Sequence, residues 1–122
     1  MNANTSPVLV DLVSWRGKLD DLVRSARSAD PSAHAVVDRA AIEVALANAV
    51  SSLVTYAELT AWAQAVHFHD GVDIEDGHED LVAQFLFEAS TPELFEPIAP
   101  EFCQRWLDRL RISLAKSPGA GG

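Results

Sequence analysis

Residues 67–80, HFHDGVDIEDGHED, place three histidines and six carboxylates in fourteen positions. Imidazole and carboxylate are ligands for divalent metals. Closely spaced carboxylates also form the kind of surface that attracts a cationic partner. Three readings compete: a metal site, a docking surface, and a solvated loop between helices.

For metal, His67 and His69 share a face if the chain is extended and diverge by about 200° if it is helical. A set drawn from His67, His69, Asp70 and His78 matches no established ligand spacing. His78-Glu79 opens like the H-E-x-x-H zinc motif, but Val82 stands where the second histidine is needed. A calcium loop aligned on Gly77 or Gly71 puts Val72 or Val66 where its first aspartate belongs. In the loop reading Asp76 and Glu79 cap the following helix, where the dipole favours acids. That leaves Asp70, Asp73 and Glu75 without a local cation.

In the docking reading Asp70, Asp73, Glu75, Asp76, Glu79 and Asp80 repel one another, and a basic partner relieves the repulsion while steering raises its association rate. Phe87 falls opposite the apolar stripe of its helix, beside Asp80, Ala83 and Gln84, and is the candidate aromatic anchor. The competing placement packs it beneath Phe95 and Ile98.

The distribution of charge bears on this choice. The 122 residues carry a net charge of −9. Residues 1–39 balance five acids against five bases, residues 40–104 carry twelve acids and no lysine or arginine, and residues 105–122 carry one acid and four bases. Nucleic acid and anionic membrane are therefore poor partners, because phosphate binding needs clustered bases. No apolar run approaches the ~20 residues of a membrane span, and no signal-like segment opens the chain. With Cys103 as the one cysteine, no intrachain disulfide forms. A cytoplasmic location is expected.

The elements that position these residues read as helices. Ser6-Pro7 starts the first; Val8, Leu12, Trp15, Leu19, Leu22 and Ala26 draw its stripe, with Gly17 weakening it and a break open near Ser14. Asp30-Pro31 starts a second over Ser32–Asn48, with Val37, Ala40, Val44 and Ala47 as its face. Thr55 and Glu58 form a capping box for a third, whose buried stripe is Leu59, Trp62, Ala63 and Val66. A fourth follows Asp76 and buries Leu81, Val82, Phe85, Leu86 and Ala89. Thr91-Pro92 makes a turn, and Pro100 opens the last helix, with Phe102, Cys103, Trp106, Leu107, Leu110 and Leu114 inward. The expected fold class is all-α: a compact bundle of about five helices with short loops, one domain over residues 1–116 and a flexible tail at 117–122. No strand is predicted.

Trp15, Trp62 and Trp106 read as core, Cys103 as a buried thiol, and His34 with Asp38 as a surface pair on a helix. No nucleophile–base pair, phosphate-binding glycine loop or isolated acid pair is present, so no enzymatic activity and no cofactor is expected.

TYAELTAWAQAV, LVAQFLFEASTPELF and EFCQRWLDRL, from about Thr55 to Leu110, resemble small acidic α-helical bacterial immunity proteins in size, charge and helical layout, with W-A and T-P-E-L as local echoes. The resemblance implies a cytoplasmic protein that neutralises a colicin-like or contact-delivered toxin by binding its catalytic domain. The leading expectation is a non-enzymatic module binding a basic protein, such as a nuclease-like toxin, through Asp70, Asp73, Glu75, Asp76, Glu79, Asp80 and Phe87. The alternatives are a metal-binding helical protein using His67, His69 and His78, and a homo-oligomer joined through the alanine-rich second helix.

Overall fold

The computed structural model describes residues 6–94 and 97–115; the expected tail at 117–122 and Phe95 lie outside the described residues. The elements in order are helix α1 (Pro7–Val13), α2 (Leu19–Arg27), strand β1 (Ala35–Val37), α3 (Arg39–Val50), α4 (Tyr56–His67), strand β2 (Val72–Ile74), α5 (Glu79–Ser90), a 3₁₀ turn (Pro92–Leu94) and α6 (Pro100–Ala115). The molecule is mostly helical, and among the described residues no helix is long and apolar enough to cross a membrane.

The capping signals act where side chains satisfy free helix-end N–H groups. Ser6 Oγ accepts from Leu9 N–H, Asp38 from Ala41 N–H, and Thr55 and Glu58 close a reciprocal box. Asp76 and Glu79 do not cap α5 as expected. The capping position belongs to His78, which makes no side-chain cap bond.

The single stripe predicted from Val8 to Ala26 is divided between two helices. The chain turns at Ser14–Lys18, with Trp15 at φ 52° and Gly17 at φ 119°, values that end a right-handed helix. Most of the stripe still points inward across the turn: Leu12, Leu19, Leu22 and Ala26 are buried, and Trp15 is half-buried and stacks on Trp62 with ring centroids 5.5 Å apart. Leu9 rather than Val8 is the buried residue at the start of α1.

The predicted helix over Ser32–Asn48 is corrected. Ala35–Val37 is a strand, and the helix begins only at Arg39. β1 pairs in parallel with β2, with Ala35 opposite Val72, Val36 opposite Asp73 and Val37 opposite Ile74. Taking Val37 as a helical position had also set the wrong phase. The buried face of α3 is Arg39, Ile42, Ala45, Leu46 and Ala49, whereas Val44 is exposed. The β-branched pair Val36-Val37 suits a strand, and the neighbouring strand that decides the matter lies 37 residues away.

Packing pairs α3 with α6 and α4 with α5, while α1 covers α2 and β1. The buried side chains form one cluster that includes Trp62, Trp106, Phe85 and Phe102. Trp62 Nε1–H donates to the Leu12 carbonyl at 2.8 Å, tying α4 to α1. The small sheet lies at one edge of this cluster, Val37 inside and Val36 outside, and it positions the acidic segment.

Candidate functional site

The chain enters the sheet through a tight approach. An added Cβ on Gly71 would collide with the Ala33 carbonyl oxygen and come within 2.9 Å of Leu9 Cδ1, so only glycine lets the backbones close. His69 fixes this entry from the other side. Its Nδ1 accepts from Gly71 N–H at 2.9 Å, and its Nε2 lies 3.1 Å from the Ala26 carbonyl, the geometry of an Nε2–H donor. Both ring nitrogens are thus committed to backbone, which leaves His69 no lone pair for a metal.

His67 packs its ring edge-on against Phe68, centroids 4.8 Å apart, and His78 sits at the start of α5. Among the described residues no three histidine, cysteine, aspartate or glutamate side chains are grouped to hold a metal ion. His34, expected to face Asp38, instead meets Asp73 at 3.5 Å. In extended chain His34 and Val36 share a face, and the β1–β2 register sets Asp73 opposite Val36.

Glu75 has an internal partner. Arg39 grips it in a bidentate pair, Nε to Oε1 at 3.0 Å and the second guanidinium nitrogen to Oε2 at 2.9 Å, and the Arg39 backbone N–H adds a third bond at 3.0 Å. The other end of the guanidinium donates to the Ser113 carbonyl at 3.0 Å and to its hydroxyl at 2.9 Å. Arg39 is buried and joins the strand–helix junction, the loop after β2, and the end of α6. Its hydrogen bonds hold the Glu75 carboxyl below the ordinary glutamate range, against burial, which pushes the other way. Glu75 therefore pins the fold, and its charge is not available for docking.

Asp73, Asp76 and Glu79 remain exposed and line one open groove of about 780 Å³ together with Asp38, Val36, Val72, Ile74 and the Arg39-paired Glu75. Val36, part of this lining, is 53% exposed. Among the described residues none of Asp38, Asp73, Asp76 or Glu79 pairs with a lysine or arginine. Asp70, Asp80 and Phe87 are also exposed but do not line this groove. Phe87 is 42% exposed, and its carbonyl accepts from the Ser90 and Thr91 hydroxyls.

Sequence reasoning missed Val36 and Asp38 as parts of this surface and Arg39 as the partner of Glu75. The available signal was the alternation V-D-I at 72–74 beside Val36-Val37, which only a strand places on common faces. A separate cleft of about 630 Å³ between α2 and α4 holds Leu19, Val23, Ala61 and Phe68, with Arg24, Arg27 and Asp20 as its charged lining residues, Arg24 paired to Asp21. No protein-family model matches the chain, and neither the curated proteins nor the solved structures provide a match.

Proposed function

We propose that the protein is a non-enzymatic acidic interaction module, an immunity or inhibitor protein acting in the bacterial cytoplasm, that binds and blocks a basic, nuclease-like toxin or a similar basic protein. The observation that carries this reading is the groove lined by Asp38, Asp73, Asp76 and Glu79 beside exposed Val36, none of the four acids being ion-paired to a lysine or arginine among the described residues. A nuclease cleft is basic because it receives phosphates, and carboxylates at comparable spacing can occupy it instead. The exposed Val36 among these carboxylates also offers an apolar contact that a partner can desolvate. Asp70, Asp80 and Phe87 are exposed but lie outside the groove, and the contact does not require them. The resemblance of TYAELTAWAQAV and LVAQFLFEASTPELF to immunity proteins supports the same reading.

The test is capture of basic proteins on the immobilised chain, compared with a triple variant carrying Asp73→Lys, Asp76→Lys and Glu79→Lys. A basic protein should be retained by the native chain, released by salt, lost with the variant, and inhibited in its own catalytic activity by an equimolar amount of the native chain. A complex whose affinity is the same at low and physiological ionic strength, or one indifferent to the triple reversal, would refute the mechanism.

A further inference from the structure

We propose that the outer edge of β2 receives an extended cationic segment of the partner as an added strand. This rests on the reading of a basic partner and names how that partner is held. Ala35 N–H bonds to the Gly71 carbonyl at 3.0 Å, and Glu75 N–H bonds to the Val37 carbonyl at 3.1 Å. With that register Gly71, Asp73 and Glu75 turn their backbone groups to β1, while Val72 and Ile74 turn theirs away. Val72 N–H is taken by the His69 carbonyl at 3.1 Å. Ile74 N–H and the carbonyls of Val72 and Ile74 have no hydrogen-bond partner among the described residues. One donor and two acceptors, spaced along a single edge, are what an incoming strand pairs with.

Val72 and Ile74 are half-buried against the core and also line the groove, so the groove runs beside this strand. The strand also lacks the proline or lysine that often blunts such edges.

Charge selects the occupant. Pairing β2 with β2 of a second copy would bring carboxylates against carboxylates, and like charges across strands are destabilising. A segment that alternates basic and β-branched residues would set its basic side chains beside Asp73 on the exposed face and its apolar ones beside Val72 and Ile74. Asp76 and Glu79 lie further along the same rim.

Two hexapeptides of equal charge test this on the full chain, one alternating lysine with valine and the other lysine with proline. The valine peptide should bind, weaken with salt, and slow hydrogen exchange at the Ile74 amide by at least about tenfold, since a newly bonded amide gains protection. The Glu75 amide, already bonded to Val37, should change little. The proline peptide should bind at least about ten times more weakly, because proline cannot supply strand N–H donors, and Asp73→Lys should abolish binding of the valine peptide. Equal binding of both peptides with Ile74 exchange unchanged would overturn strand addition while leaving a partner docked by charge alone. Failure of the valine peptide to bind, where a basic protein is still captured through the groove, would overturn it equally. Loss of that capture is what sinks the broader reading.

Discussion

Replacing Arg39 by alanine isolates the contact that holds the acidic segment in place. The change deletes four side-chain hydrogen bonds, two to Glu75 and two to Ser113, and leaves the Glu75 carboxylate with only the Arg39 backbone N–H among its present partners. Breaking a buried ion pair from one side costs about 3–5 kcal/mol. The Glu75 side chain is 25% exposed, so water rehydrates part of the orphaned charge and the cost falls near the lower end, about 3 kcal/mol. At roughly 4 °C or more per kcal/mol for a domain of this size, Tm should drop by about 12 °C. Glu75→Gln should cost at least as much, because the Arg39 side chain is only 7% exposed and cannot shed its proton. Replacing both together, Arg39→Met with Glu75→Leu, should recover most of the loss, since an apolar pair of similar volume removes the desolvation penalty along with the attraction. The pH dependence has a definite sign. The Glu75 carboxyl is held below its ordinary value, chiefly by the Arg39 side-chain hydrogen bonds. Its stabilisation is therefore complete above the unfolded value of about 4.3 and is lost as pH falls below that towards the folded value. Urea titrations from pH 7 to pH 3 should show this acid-side loss in the native chain and not in Arg39→Ala. A single-variant cost under about 1 kcal/mol, the range of exposed pairs, would refute the reasoning.

Gly71→Ala should destabilise by more than about 2 kcal/mol in urea melts, because its Cβ meets the Ala33 carbonyl and Leu9 with nothing free to move aside. Gly77→Ala, whose Cβ enters open space at φ +84°, should cost only about 1 kcal/mol of backbone strain. Burial pushes the Cys103 thiol up to about 11, so alkylation at pH 8 should be far slower in the folded chain than in urea. The neutral thiol's contribution to stability should be intact below about pH 9 and decline towards about pH 11. Zinc added in slight excess should leave the His69 ring resonances unshifted, and a shift would show that its two backbone hydrogen bonds can be displaced.

The helices were legible where their signals are local. The capping box at Thr55 and Glu58 needs four consecutive residues, and the stripes of α4, α5 and α6 repeat within one element, so the expected core residues Leu59, Trp62, Val82, Phe85, Phe102 and Trp106 are buried. The sheet was not legible because its evidence is not local. Ala35–Val37 is too short to show a period of two convincingly, and Asp30-Pro31 upstream resembles a helix start. Asp30 in fact caps a turn, accepting from Ser32 N–H at 2.8 Å and from its hydroxyl at 2.7 Å. Arg39 was hidden for the same reason. Counted along the sequence it belongs to a balanced N-terminal third, and only the parallel pairing carries it to Glu75.

That pairing also changes what the acidic stretch can do. Read linearly, six carboxylates from Asp70 to Asp80 form one block of repulsion. Folded, they separate by role. Glu75 is neutralised inside the Arg39 network, and Asp73 leans towards His34 across the strands. Glu79 and Asp80 stand in the first turn of α5, where the helix dipole offsets part of their charge. The Arg39 pair and the helix dipole each lower part of the repulsion that the bare sequence implies. Charge that remains exposed after these offsets is concentrated on the groove, where Asp38 from the strand–helix junction joins Asp73, Asp76 and Glu79. A partner that recognised only total charge would respond equally to reversal of Asp70 or Asp73. One that enters the groove should lose at least about tenfold more affinity on Asp73→Lys than on Asp70→Lys, because a charge inside the contact is partly desolvated whereas one outside it is screened.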